Sequence, residues 1–457
     1  MTRSDPILEG PLLPVVLKQG LLLAIGLLSH AMFNIVDLLL IAELDDPAAL
    51  AGVHVATNIN FLPMIIGNAI SAATLSVMSR MIGRGEIDQA RDLSSRSQIL
   101  MLGSGVFLGL IGALFVSPSI DLQGVEGSGR DIGLHYLLVA NLGTFTMFGL
   151  MQTTTTMRAL GESLMPFVLL VGANVVNLLL DIVLLFGWED MGIPAFGAPG
   201  AAYASVISRA LAAGLGLAWL CRSGCGLRFS WVPLRGPLGQ RRQIFAMATP
   251  QAAQMLVRGL VAIALTRLAQ ELGGQAALSA LGVTTRLETM VLFAAVGFAS
   301  AGTAIAGRNV GAGNVARARR AGQLASLSAL IFGACLVLVF SLAARPLMLL
   351  FLSEGDVGEV NAGIGYLQIA ALGLPFSAFC IAATGAINGG GRFVPPMIID
   401  AVGYLGFLLP CASLVVAVFA GATLLALWWI FVVVNACLAC VYWFYLARAN
   451  WADCSRT

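Results

Sequence analysis

Apolar residues come in runs of about 20 or more, the length a helix needs to cross the hydrocarbon core of a bilayer. The runs begin near Pro14, Leu50, Leu93, Gly133, Leu164, Gly200, Ile244, Ala277, Leu324, Gly363, Phe393 and Thr423. Twelve such runs return the chain to the side from which it starts. Composition agrees: 58% of the 457 residues are hydrophobic and only 11% charged, too apolar for a water-soluble core. The pattern predicts an all-α polytopic membrane protein with no soluble domain left over.

Charge is distributed by connection. The segments after the even-numbered runs carry Arg80, Arg84, Arg91 and Arg96, then Arg158, then Arg222, Arg228, Arg235, Arg241 and Arg242, then Arg308, Arg317, Arg319 and Arg320, then Arg392. The opposite connections are acidic or mixed, with Glu43, Asp45 and Asp46, then Asp121, Glu126 and Asp131, then Glu189 and Asp190, then Glu354, Asp356 and Glu359. Basic connections stay in the cytoplasm. Both termini are therefore expected in the cytoplasm and the chain in the cell inner (plasma) membrane. The polar, proline-broken start predicts no removable signal peptide. A net charge of +2 gives no reason to expect nucleic acid. The cysteines lie mostly in apolar runs, where a thiol acts as a small hydrophobe, and the Cys437/Cys440 pair lacks the further ligands of a zinc site.

An internal repeat organises the spans. ELDDPAAL at 43–50 returns as ELGGQAAL at 271–278, and GRGEIDQAR at 83–91 returns as GAGNVARAR at 311–319, both at an offset of 228. Further on the offset is 230, which pairs Tyr136 with Tyr366, Gly143 with Gly373, Gly161 with Gly391 and Pro166 with Pro396. Six spans per repeat is an even number, so the halves enter from the same side. This predicts two six-helix bundles related by a pseudo-twofold axis along the membrane normal, a layout for rocking around a central cleft. The expected division is an N-terminal lobe over 1–220, a cytoplasmic linker over 221–243 and a C-terminal lobe over 244–457.

Against this apolar background a few polar residues stand out. Asp37 lies inside the first run, where a charged carboxylate costs roughly 2.5 to 3.5 kcal/mol to insert and so needs a partner, a wet cavity or a proton. His30, Asn34 and Asp37 follow i, i+4, i+7, and in the fifth span Asn174, Asn177 and Asp181 follow i, i+3, i+7, each set along one side of a helix. In the second half these positions become Arg258, Ala262 and Leu265, and Tyr404, Phe407 and Cys411. The polar cluster belongs to the first half alone. Asp37 and Asp181 are read as a coupling site rather than as hydrogen-bonding glue between helices, whereas His30 is suited to proton traffic or to a simple hydrogen bond. Arg258 could pair with Glu288 or Asp400, or meet an anionic group on a substrate. Gln152 and the threonines from Thr153 to Thr156 could line the cleft or bond back to their own helix.

Taken in order, NIVD (34–37), the GRG and GAG loops with their basic turns, RALGESLMP (158–166), NVVNLLLDIVLLFG (174–187) and GAAYAS (200–205) resemble the MATE (multidrug and toxic compound extrusion) transporters, and specifically their DinF-like bacterial branch. The resemblance covers nearly the whole chain. It implies a cation-coupling site built from Asp37, Asn177 and Asp181, with Ser205 as a hydroxyl contributor. Some relatives carry a Glu in span seven about eight residues after a proline. Here Pro250 is followed at that distance by Arg258, which departs from a second acidic site.

The reading is a secondary active multidrug efflux transporter, in which a cation, proton rather than sodium, drives antiport of amphipathic organic compounds by alternating access. One proton shared by Asp37 and Asp181 is the expected coupling event, and hard oxygen ligands keep sodium as the alternative ion. The competing reading is a flippase for a lipid-linked molecule. Three histidines and the absence of HExxH or GxxxxGK motifs argue against an enzyme. No catalytic residue, resident metal or cofactor is expected. The expected partners are a small amphipathic molecule and the bilayer, with the protein a monomer.

Overall fold

A computed structural model describes residues 5–44, 46–222, 238–350, 357–418, 424–448 and 450–452. The expected linker over 221–243 thus falls largely outside the described residues. The described chain is helical because an apolar run in a bilayer must satisfy every backbone N–H and C=O within itself.

The first half contains α1 (Leu12–Ala42), α2 (Pro47–Gly83), α3 (Ile87–Leu114), the short α4 (Val116–Asp121), α5 (Gly127–Leu142), α6 (Thr144–Ala159), α7 (Leu164–Phe186) and α8 (Pro199–Arg222). In the second half come α9 (Leu238–Gly311), α10 (Val315–Leu342), the short α11 (Ala344–Leu349), α12 (Val357–Gln368), α13 (Leu374–Gly389), α14 (Val394–Ala401), α15 (Leu409–Val418) and α16 (Leu424–Arg448). A single 3-10 turn over Ala370–Gly373 joins α12 to α13, and a π-helical stretch over Val402–Leu408 joins α14 to α15. Among the described residues, ten helical segments are long and apolar enough to cross a membrane, and α5 with α6 forms a further pair bent by 43°.

Ten of the expected starts fall between one residue before and nine residues inside a helix start, because the helices extend beyond the apolar core into polar turns, and Thr423 lies outside the described residues. The twelfth, Ala277, falls inside α9. Helix α9 is 74 residues long, about 110 Å if it were straight. It leaves helical geometry at Gly274 (φ 61, ψ −149), a backbone state open to glycine and strained for other residues. The bend at Gly143 and the 3-10 turn ending at Gly373 sit at equivalent positions of the repeat.

The chain forms two compact units. One holds the chain up to Leu28, Ser79–Gly85 and everything from Ala246 onward; the other holds Ser29–Met78 and Glu86–Phe245. Helix α1 is thus divided between them at Leu28. In the first unit, the turn at 5–10 is tied to the end of α9 and the start of α10. Arg308 donates to Asp5 Oδ2 at 2.9 Å, Asn309 Nδ2 donates to the Ile7 carbonyl at 3.3 Å, and Arg317 donates to the carbonyls of Ile7 and Gly10. Ile7, Leu12 and Val16 bury against Ile305, Ala321 and Ala325 beneath these bonds. The ends of α2 and α9 also meet in this unit. A Cβ on Gly83 would lie 2.1 Å from the Arg308 carbonyl oxygen, and one on Gly311 would lie 2.1 Å from that of Arg80. The two contacts are the same contact at the repeat offset of 228.

In the second unit a polar seam joins α3 to α6. Ser94 and Thr156 hydroxyls are 3.0 Å apart, Gln98 Nε2 donates to the Gly149 carbonyl at 3.2 Å, and Thr153 reaches Gln98 Oε1 at 3.4 Å. Thr153, Thr154 and Thr155 also bond back to the carbonyls of Gly149, Leu150 and Met151. Gln152 and Thr153 to Thr156 are all buried, and the back-bonds of Thr153, Thr154 and Thr155 to their own helix are the second of the two readings the sequence left open.

Candidate functional site

The polar positions of α1 and α7 come together inside the second unit. Helix α7 is strongly apolar on three sides, so its Asn174, Asn177 and Asp181 face is the one turned inward; all three are buried, Asp181 completely. His30 Nδ1 lies 3.3 Å from Asn174 Oδ1, and Asn174 Nδ2 donates to Ser29 Oγ at 3.1 Å. This pins the middle of α1 to α7 one to two turns from the acids. About two turns further along the same faces, the carboxyl groups of Asp37 and Asp181 come within hydrogen-bond reach of each other. Asp37 Oδ1, both Asp181 oxygens and Asn177 Nδ2 are buried and lack a hydrogen-bond donor or acceptor of the ordinary kind among the described residues. Buried polar atoms are nearly always satisfied, so such a concentration sets these atoms apart from the rest of the unit.

Other expected members behave differently. Ser205, half-buried on α8, has no side-chain hydrogen bond to the acids among the described residues; its carbonyl accepts from Ser208. Asn34 is exposed, and among the described residues its side chain makes no hydrogen bond to the acids.

One residue of this neighbourhood, Arg209 on α8, is not among the candidates the motifs supply; α8 packs against α7 and against α5, which carries Tyr136. The signal for Arg209 was present in the sequence, as one arginine inside the apolar stretch GAAYASVISRALAAGLGLAWL, four residues after Ser205. Counting arginines by connection passes over it. Tyr136 was visible as a repeat position and as the first residue of a stretch, running to RALGESLMP, that carries the family resemblance.

In the first unit, Arg258 takes Asp400 as its partner rather than Glu288. Arg258 Nε donates to Asp400 Oδ2 at 2.7 Å and its NH2 lies 2.6 Å from the same oxygen, while Gln254 Nε2 and the Tyr442 hydroxyl donate to Asp400 at 2.7 Å each. Asp400 is completely buried. Glu288 instead accepts from the Tyr366 hydroxyl at 2.7 Å, and Tyr366 packs edge-on against Trp428. The π-helical stretch directs Tyr404 to Asn435 Oδ1 at 3.0 Å, which also accepts from Ser377 at 2.8 Å. In the second half both oxygens of Asp400 are thus bonded, whereas the first half carries an acid pair with unsatisfied oxygens.

Comparison with known proteins fits this geometry. The family model MatE matches residues 23–183 and 250–414. A Shewanella oneidensis protein named "FAD transporter" is 24% identical over 415 residues, 91% of this chain and 90% of its own length. A Deinococcus radiodurans protein named "Probable multidrug resistance protein NorM" is 30% identical over 402 residues, 86% of this chain and 84% of its own. Among solved structures, a MOP superfamily transporter from Pyrococcus furiosus, reported with a binding pocket of reverse polarity, superposes with a TM-score of 0.89 at 20% identity, covering 98% of each chain.

Proposed function

The chain belongs to the MatE family of transporters, and from that premise we propose that it is a multidrug efflux antiporter that exchanges amphipathic organic compounds for a cation, proton rather than sodium. The observation that carries the reading is the Asp37 and Asp181 pair, contributed by two helices and holding three buried, unsatisfied carboxyl oxygens. Relatives named for multidrug resistance or export support the substrate class. Integral, multi-pass membrane architecture follows from the family and the apolar helices. In our reading there are twelve spans: α9 counts as two across Gly274, and α5–α6, α12–α13 and α14–α15 count as one each. The arginine bias puts both termini in the cytoplasm and the protein in the inner membrane.

The cycle follows from charge. With its shared proton, the acid pair carries one negative charge rather than two, and the helices around it close more readily on the smaller charge. Protonation from outside favours substrate release; loss of the proton to the cytoplasm resets the site. One charge moving through about 100 mV supplies roughly 2.3 kcal/mol, somewhat under two decades of concentration ratio. Asn177 orients the pair, and the His30, Asn174 and Ser29 chain fixes the register of α1 on α7. A relative named for FAD raises an anionic cargo, as would a lipid-linked one. Arg258 is committed to Asp400, which favours the cationic and neutral compounds.

Everted membrane vesicles holding a pH gradient test the proposal. Addition of an amphipathic cation such as ethidium should collapse the gradient in the wild type and leave it standing in Asp37→Asn, with equal protein inserted. Collapse of equal size in the variant would sink the coupling role.

A further inference from the structure

Span eight, the part of α9 beyond Gly274, carries a polar interruption that the coupling mechanism does not use. Between Thr285 and Thr289 stand two threonines, Arg286 and Glu288, in a stretch that is otherwise apolar. The same register is polar in the first half, where the offset of 228 pairs Thr57 with Thr285, Asn58 with Arg286 and Asn60 with Glu288. Thr57, Asn58 and Thr285 are exposed, and Arg286, Glu288 and Thr289 are half-buried. Eleven residues separate Glu288 from the start of its apolar run at Ala277, about 17 Å of helix and half the thickness of the hydrocarbon core. Charged side chains at such depth face a bundle interior or a water-filled cavity.

Glu288 has one fixed oxygen and one open oxygen. Its Oε2 accepts from the Tyr366 hydroxyl at 2.7 Å, and the buried Tyr366 ring is held edge-on by Trp428 with centroids 5.0 Å apart. Its Oε1 accepts no hydrogen bond and is not sealed in, and among the described residues no cationic side chain comes within 4.0 Å of the carboxyl group. Arg286, two residues earlier, lies on the far side of the helix and forms no ion pair with it. The Thr285 and Thr289 hydroxyls donate to the carbonyls of Leu281 and Thr285 at 2.6 and 2.8 Å, which leaves oxygen lone pairs turned outward. One turn before Glu288, the buried Thr284 hydroxyl has no hydrogen-bond partner among the described residues. The surface beside Glu288 thus offers acceptors, one of them charged.

We propose that Glu288 is a cargo-recognition acid, whose open Oε1 receives the positive centre of an organic ammonium compound while Tyr366 positions the carboxylate. This rests on the efflux reading above and narrows its cargo to monovalent organic cations. A carboxylate at half depth with one neutral donor is costly; an arriving cation removes that cost and an anion adds to it. Asp400, the other acid of this half with an assigned partner, already holds Arg258 and has both oxygens bonded. Unlike Asp37 and Asp181, Glu288 has no second carboxyl group with which to share a proton.

Ethidium binding to the purified full chain in detergent, read by fluorescence polarisation, tests this without any gradient. Glu288→Gln keeps an acceptor for Tyr366 and should leave the ligand-free thermal midpoint at the wild-type value, while the ethidium Kd rises by about tenfold or more. Glu288→Asp keeps the charge on a shorter stem and should fall between the two. Tyr366→Phe releases the carboxylate without removing it and should weaken binding by less than Glu288→Gln. In everted vesicles the half-saturating ethidium concentration of Glu288→Gln should rise by the same factor as its Kd. No ethidium binding by the wild type, or a wild-type Kd in Glu288→Gln, would overturn the inference. Should Glu288→Gln not accumulate, Glu288→Asp and Tyr366→Phe decide, and wild-type Kd values in both overturn it. Failure of the efflux reading shows separately, as a wild type that binds ethidium through Glu288 yet releases no protons when it is added.

Discussion

At the scale of single residues, Asp400 shows what a buried carboxylate requires. It is completely buried and receives hydrogen bonds from Gln254, Arg258 and Tyr442. Removing its cation by Arg258→Met leaves a buried carboxylate with neutral donors only, which should cost about 3 kcal/mol. Thermal unfolding in detergent should show that loss, and the Arg258→Met/Asp400→Leu double variant should recover most of it. Asp37, Asn174, Asn177 and Asp181 were legible in the sequence because each polar group interrupts an apolar helix at a spacing that shares a face. The partner of Arg258 was not, since both candidate acids lie in the same half and only the fold chooses between them. Arg209 was hidden in another way, by a bookkeeping that treats arginine as a marker of connections. Asn34 shows the limit of spacing: i+4 from His30 put it on the expected face, and its exposure shows that the face is narrower than the spacing suggests.

At the scale of elements, run lengths located the helices well, because in a bilayer the apolar length and the helix length are nearly the same quantity. What run lengths cannot show is continuity. The passage through α9 at Gly274 is a change in one residue's backbone angles inside an unbroken apolar and small-residue stretch, and the π-helical turns of Val402–Leu408 adjust hydrogen-bond spacing without altering composition. The crossing of α2 and α9 yields a sharp prediction. Gly83→Ala and Gly311→Ala each place a methyl group 2.1 Å from a backbone oxygen, so each should lower the thermal midpoint and the yield of folded protein. Gly103→Ala in the middle of α3, where nothing lies within 4 Å, is the control and should be neutral or stabilising by up to about 1 kcal/mol.

At the scale of the whole molecule, the repeat and the arginine bias made two related halves legible. Nothing in the repeat marks Leu28, where the contacts divide α1 between the two compact units. The turn at 5–10, polar and proline-broken in sequence, gave no sign that its carbonyls would receive Arg317 and Asn309. Asp5→Ala should weaken this attachment by about 2 kcal/mol, read as a lower thermal midpoint of the full chain. The paired contacts of Gly83 and Gly311 carry a further consequence. Each glycine meets a backbone oxygen at the equivalent point of the other repeat, so a methyl group at one of them wedges the crossing from one side only, and the double change Gly83→Ala/Gly311→Ala presses on it from both.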